Sequence, residues 1–175
     1  MEYKEVVVAK ASELADGTMK QVAVEGGDIL LTRVDGEISA LGAACTHYSA
    51  RLENGILSGG TIVCPSHQAC FCARTGDLKE PPALNALPRF EVRLRGDDIV
   101  VRLPEKIGRM RIPDMVAPDP ARDPRTFVIL GAGAAGNSAA QSLRECGFQG
   151  KILMISDEAD LPYDRPNLDK DYLQG

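Results

Sequence analysis

Residues 43-AACTHYSARLENGILSGGTIVCPSHQACFC-72 hold both histidines of the 175-residue chain and four of its five cysteines. Two short pieces carry the pattern: Cys45-x-His47 and, after a gap of sixteen residues, Cys64-x-x-His67. A tetrahedral zinc site usually draws a Cys-x-x-Cys pair from one loop and a second pair from another. Here every loop gives one thiolate and one imidazole, so two loops can pair like with like, both sulfurs on one metal ion and both imidazoles on another. That division meets the needs of a 2Fe-2S centre in which two histidines replace two cysteines at one iron. Zinc in the same four ligands remains the rival.

Outward from this stretch, residues 1–103 read as short β-type runs at 5–9, 20–24, 29–34, 37–41, 61–63, 91–95 and 99–103. Turn signals separate them, among them Asp35-Gly36, Asn54-Gly55 and Gly96-Asp97, and Asp-Gly or Asn-Gly between alternating strands is a strong hairpin signal. An all-β domain follows. Prolines 104, 113, 118, 120 and 124 then interrupt anything regular, so 104–124 reads as a Pro-rich linker.

Beyond the linker the period changes. Phe127-Val-Ile-Leu130 reads as a buried strand, Ala134 to Cys146 as a helix closed by Gly147, and Lys151 to Ile155 as a second strand. Strand, loop, helix and strand open a parallel α/β domain. Its loop is Gly131-Ala132-Gly133-Ala134-Ala135-Gly136. Such glycines allow a tight turn and a close backbone approach, and the helix N-terminus offers N–H groups to a pyrophosphate. Asp157, twenty-one residues past Gly136, can accept hydrogen bonds from ribose hydroxyls. The spacing suits FAD and NAD equally.

Composition narrows the rest. A net charge of −5 without a basic stripe argues against nucleic-acid binding. The N-terminus MEYKEVVVAK lacks the basic and apolar regions of a signal peptide. The longest charge-free run, 126–143, is broken by glycines, Asn137 and Gln141, a poor membrane span. A soluble, cytoplasmic protein is expected. Five cysteines, clustered and odd in number, fit metal binding better than a disulfide framework.

The C-x-H, sixteen, C-x-x-H pattern resembles the signature of the Rieske family. The resemblance implies an antiparallel β-sandwich with a cluster-binding subdomain, metal ligands Cys45, His47, Cys64 and His67, and histidine edges near solvent for electron transfer. High-potential members of the family add one cysteine per loop to form a disulfide, where Ala50 and Ser66 stand here. They also aim hydroxyls at the cluster sulfurs, where Ala69 and Phe71 stand. Fewer donors to sulfur imply a low, ferredoxin-like potential. Most relatives carry glycine where Ser49 and Gln68 lie, so loop strain or a shifted turn is expected. Cys70 and Cys72 lie two apart and face one way in an extended strand, and neither is assigned as a ligand.

The last stretch, 157-DEADLPYDRPNLDKDYLQG-175, is similar to the LPYDRPxLSK segment of apoptosis-inducing-factor-like and ferredoxin-reductase-like flavoproteins. By that resemblance Arg165 and Lys170 contact the flavin of FAD, and Asp157 and Glu158 lie near the adenosine ribose. A Rieske domain (1–103), the linker, and an incomplete FAD/NAD(P)-binding Rossmann start (125–175) match apoptosis-inducing-factor-like oxidoreductases with an N-terminal Rieske domain. The resemblance implies that NAD(P)H reduces FAD, which passes single electrons through the cluster to an acceptor. Such an enzyme needs a few hundred further residues, so FAD is expected only in a complete chain. Two functions follow: the N-terminal part of an NAD(P)H-oxidising flavoenzyme, or a stand-alone Rieske ferredoxin-like electron carrier with a vestigial tail.

Overall fold

The computed structural model describes residues 3–163 and 165. The chain forms two compact units, Met1–Pro113 and Asp114–Gly175.

The first unit holds β1 (Tyr3–Lys10), β2 (Thr18–Val24), β3 (Gly27–Val34), β4 (Glu37–Gly42), β5 (Ile56–Ser58), β6 (Thr61–Val63), β7 (Cys70–Cys72), β8 (Leu78–Glu80), β9 (Arg89–Arg95) and β10 (Asp98–Pro104). Six strands form an antiparallel sheet in the order β1-β10-β9-β4-β3-β2, curled into a half-barrel, and β5-β6-β7-β8 form a smaller antiparallel sheet. The Asp35-Gly36 turn between β3 and β4 has both residues at positive φ, 52° and 78°. That conformation matches the right-handed twist of the two strands it joins.

Successive side chains of a strand point to opposite faces, and β3 uses this to serve two cores. Ile29 and Leu31 join Ala40, Phe90, Ile99, Val101 and Leu103 inside the curl of the large sheet. Leu30 points the other way and joins Leu41, Leu52, Ile62, Phe71 and Leu87, together with Cys45 and Cys64. Burying each large apolar side chain contributes roughly 1.5–3 kcal/mol, so the thiols are anchored in one of the two best-packed parts of the molecule. Strands β5, β7 and β8, of three residues each, lie outside the runs expected from sequence, because they lack the β-branched run that marks the equally short β6 (Thr61–Val63).

Residues 104–113, at the start of the expected linker, fall within the first unit. Arg111 exchanges both backbone hydrogen bonds with Ala86, at 2.9 and 3.0 Å.

The second unit contains β11 (Thr126–Leu130), α1 (Ala134–Glu145) and β12 (Lys151–Ile155). The two strands pair in parallel, Thr126 opposite Lys151 through Leu130 opposite Ile155. The helix ends in a Schellman motif: Phe148 N–H donates to Leu143 O at 2.9 Å and Gly147 N–H to Arg144 O at 3.2 Å, with Gly147 at φ 87°. The Arg144 guanidinium then holds the chain reversal by donating to Phe148 O and Gly150 O. Phe148 packs edge-on against Phe127, with ring centroids 4.8 Å apart. Among the described residues no helix is long and apolar enough to cross a membrane.

Candidate metal centre and dinucleotide loop

The two ligand loops share one backbone design. In the first, Cys45 N–H donates to Ala50 O at 2.9 Å and Ser49 N–H to Cys45 O at 2.9 Å. In the second, Cys64 N–H donates to Ala69 O at 2.9 Å and Gln68 N–H to Cys64 O at 3.2 Å. The fifth residue of each is left-handed, Ser49 at φ 56° and Gln68 at φ 63°. The expected loop strain is therefore present. A non-glycine residue there stores roughly 1–2 kcal/mol, which the surrounding core holds in place. Thr46 ties the first loop down by donating its hydroxyl hydrogen to Asn85 O at 2.6 Å.

This pairing sorts the side chains by depth. Cys45 and Cys64 are 1% and 2% exposed. His67 is exposed and His47 half-buried, and their rings lie 5.0 Å apart between centroids at 78°. Tyr48 stands edge-on to His47 at 4.3 Å. Burial pushes the Cys45 thiol up to about 11; the N–H groups of His47 and Tyr48 act the other way, while contact with Cys64 adds to the rise. A buried thiolate therefore needs a cation to compensate it. Among the described residues no three His, Cys, Asp or Glu side chains gather to hold a single ion. Two sulfurs inside and two imidazoles outside make a donor set that fits a 2Fe-2S cluster with like ligands on each iron.

A third loop with the same design was not visible in the sequence. Cys72 N–H donates to Asp77 O and Gly76 N–H to Cys72 O, both at 2.8 Å, and Gly76 has φ 74°. Burial raises the Cys72 thiol, but the Thr75 hydroxyl and the N–H groups of Arg74 and Thr75 more than offset it, so it lies below the usual thiol range. Cys70 donates to Gln68 O at 3.3 Å. Only the spacing of a cysteine and a glycine four residues on, as in Cys72-x-x-x-Gly76, could have signalled this loop.

In the second unit the three glycines divide their roles. Gly131 has φ 105°, the tight turn. A Cβ on Gly133 would meet nothing within 4 Å, leaving the backbone open to close approach. A Cβ on Gly136 would lie 2.0 Å from Gly131 O and 3.2 Å from Ile129, so only glycine lets α1 settle on β11. Ala132 belongs to the loop, and Ala134 and Ala135 open the helix. Asp157 and Glu158 follow β12. Glu158 accepts from Tyr163 at 3.1 Å and pairs with Arg165, which lies over the Tyr163 ring. The structure thus brings together Glu158 and Arg165, two of the residues expected at FAD. Lys170 lies outside the described residues.

An antiparallel β-domain carrying two matched Cys/His loops belongs to the class of iron–sulfur electron carriers. The chain belongs to the Rieske [2Fe-2S] domain family, which residues 4–91 match. Residues 125–175 match the pyridine nucleotide-disulphide oxidoreductase family, which implies FAD in a complete enzyme. The chain is 37% identical over 172 residues to apoptosis-inducing factor 3 of Homo sapiens, covering 95% of this chain and 28% of that protein. It is also 35% identical over 91 residues to the ferredoxin component of the naphthalene 1,2-dioxygenase system of Pseudomonas aeruginosa, covering 52% of this chain and 88% of that protein. Among solved structures, the complex of reduced oxygenase and oxidized ferredoxin in carbazole 1,9a-dioxygenase aligns at TM-score 0.54 and 30% identity, over 59% of this chain and 95% of that one. Sphingomonas yanoikuyae B1 ferredoxin aligns at TM-score 0.55 and 25% identity, over 58% of this chain and 100% of that one. The chain therefore spans somewhat over a quarter of the apoptosis-inducing factor it matches and nearly all of the ferredoxin.

Proposed function

We propose that this chain carries electrons as the N-terminal part of an NAD(P)H-dependent FAD oxidoreductase, with residues 1–103 as the Rieske domain, 104–124 as the connection and 125–175 as the start of the flavin domain. Cys45 and Cys64 hold one iron of the 2Fe-2S cluster, and His47 and His67 hold the other. The cluster, when bound, takes electrons singly from the flavin and passes them to an acceptor. The observation that carries this reading is the matched pair of loops, with thiols in the core and imidazoles 5.0 Å apart at the rim.

Each residue has a task in this reading. The N–H groups of His47 and Tyr48 neutralise part of the Cys45 charge, the core keeps water from the sulfurs, and exposed His67 gives the acceptor its closest approach. Gly131, Gly133 and Gly136, with Ala132, Ala134 and Ala135, cradle the FAD pyrophosphate. Asp157 and Glu158 meet the adenosine ribose, and Arg165 and Lys170 the flavin. A cytoplasmic location is part of the proposal, and nucleic acid is not among its partners.

Paramagnetic resonance and absorbance spectra of anaerobically purified protein test the centre, where a mixed Cys/His 2Fe-2S signal is expected and zinc without iron would refute it. With Ala50, Ser66, Ala69 and Phe71 in place of thiols and hydroxyls, the potential should fall at the low end of the Rieske range, roughly −150 mV rather than +300 mV. A clearly positive value by voltammetry would contradict the donor argument. The ferredoxin match, nearly full length for that protein, supports a second reading as a stand-alone electron carrier. NADH-dependent reduction of an added acceptor separates the two.

A further inference from the structure

The stretch after β10 passes beside the first ligand loop as a strap fastened at both ends. At its start, Glu105 O sits where a Cβ on Gly26 would lie 2.8 Å away, and Ile107 packs over Gly27 and against the core inside the large sheet. At its end, Arg111 is bonded to Ala86 through both backbone groups, and its guanidinium reaches Thr75 O at 3.2 Å and the Asp77 carboxylate. Between these anchors Arg109 is held with Nη2 3.5 Å from the carbonyl oxygen of His47. That distance is the outer limit of a hydrogen bond, so the bond itself is weak. The charge beside the loop is not. Arg51, just past the same loop, lies 3.7 Å from the Glu53 carboxylate, whereas among the described residues no carboxylate pairs with Arg109.

We propose that Arg109 is a positioning residue of the metal centre: the strap holds its positive charge beside His47 and raises the affinity of the centre for an electron. The proposal rests on His47 being an iron ligand. Reduction adds one negative charge to the centre, and a cation held against the backbone of a ligand loop favours the more negative state. The strap lies beyond residues 4–91, so the family match says nothing about it. A cleft of about 300 Å³, bordered by Ser49, Arg51, Ile107 and Arg109, opens beside this charge. Dissolved ions reach it there, and the effect should be screened by salt.

The test uses the full chain reconstituted with iron and sulfide, as wild type and as Arg109→Lys, Arg109→Gln and Arg109→Glu. Protein-film voltammetry at low and high ionic strength is the readout. At a fixed potential the ratio of reduced to oxidised centre should fall about threefold in Arg109→Gln, which is ~28 mV at about 59 mV per decade for one electron. It should fall further in Arg109→Glu and stay near wild type in Arg109→Lys, and the differences should shrink at high salt. An unchanged potential in Arg109→Glu at low salt, with the resonance signal intact, overturns the proposal. So does a shift in Arg109→Lys as large as in Arg109→Gln, because lost geometry rather than lost charge would then be the cause. A cluster retained in His47→Ala overturns the ligand reading and the proposal together.

Discussion

The ligand loops of the first unit and the glycine loop of the second are both backbone cradles, yet they are held by opposite means. At 45–50 and 64–69, Ser49 and Gln68 occupy a left-handed conformation that favours glycine, and the packed core beneath Cys45 and Cys64 enforces it. At 131–136, glycine itself creates the geometry, and little core supports it. Phe148 is the one buried apolar side chain among the described residues of the second unit. Phe127, Val128, Leu130, Leu153 and Ile155 are all more than two-fifths exposed, so the strand expected to be buried is not, because one partner strand and one helix cover too little of it. A well-packed core can hold residues in a strained conformation, whereas a two-stranded corner depends on residues that carry no strain.

The sharpest way to break this comparison is to remove a ligand. Cys45→Ser or His67→Ala should abolish the cluster, and iron analysis with visible absorbance should read essentially none. A variant that kept its iron would remove that residue from the ligand set. Proteolysis probes the other side. Arg122 lies exposed on the turn stapled by Asp119, whereas the Arg125 guanidinium is engaged by Asp123 at 2.8 and 2.6 Å. Limited trypsin should therefore cut first at Arg122, leaving a coloured 1–122 fragment while the remainder degrades. A resistant 175-residue chain with stoichiometric flavin would show that residues 125–175 form a working cofactor site.

Two glycine replacements compare the units directly. A Cβ on Gly55 would stand 2.2 Å from Val63 O, in a first unit with no room to yield. Gly55→Ala should cost about 3 kcal/mol, the upper range for overpacking, and lower the first unit's thermal midpoint by roughly 12 °C. A Cβ on Gly136 meets Gly131 O at 2.0 Å, but α1 has fewer buried contacts to lose by lifting. Gly136→Ala should speed amide exchange along β11 by hydrogen-exchange mass spectrometry and leave the iron content unchanged. Equal loss of iron in both variants would remove the distinction.

Much of this was legible in the sequence, and the gaps have physical causes. Turn chemistry such as Asp35-Gly36 and strict alternation marked the long strands, and the Cys-x-His and Cys-x-x-His spacing pointed to the two matched loops. The glycine motif, Phe127-Val-Ile-Leu130 and Gly147 marked the strand, loop and helix end of the second unit. Strands β5, β7 and β8 were missed because pairing within the small sheet, β5 and β7 to β6 and β8 to β7, rather than local pattern, makes them strands. The strap was read as linker because Pro104 and Pro113 exclude a helix or sheet interior. Arg109 and Arg111 are fixed by contacts with loops more than thirty positions away, which no local window shows.

The smallest predicted effect tests the strain itself. A left-handed non-glycine residue costs roughly 1–2 kcal/mol, and glycine returns about 0.4–1 kcal/mol of that through the freer unfolded chain. Ser49→Gly and Gln68→Gly should each therefore stabilise the first unit by about 0.5–1 kcal/mol, raising its thermal midpoint by roughly 4 °C. Asp35 is the control. It also has positive φ, 52°, but lies in a primed hairpin turn where aspartate is at home, and its carboxylate pairs with Arg74 at 2.5 Å. Asp35→Gly should gain nothing or lose stability. If all three variants shifted the midpoint alike, glycine would be acting on the unfolded chain or on the hairpin in general. The claim that the core holds the ligand loops in a strained conformation would then fail.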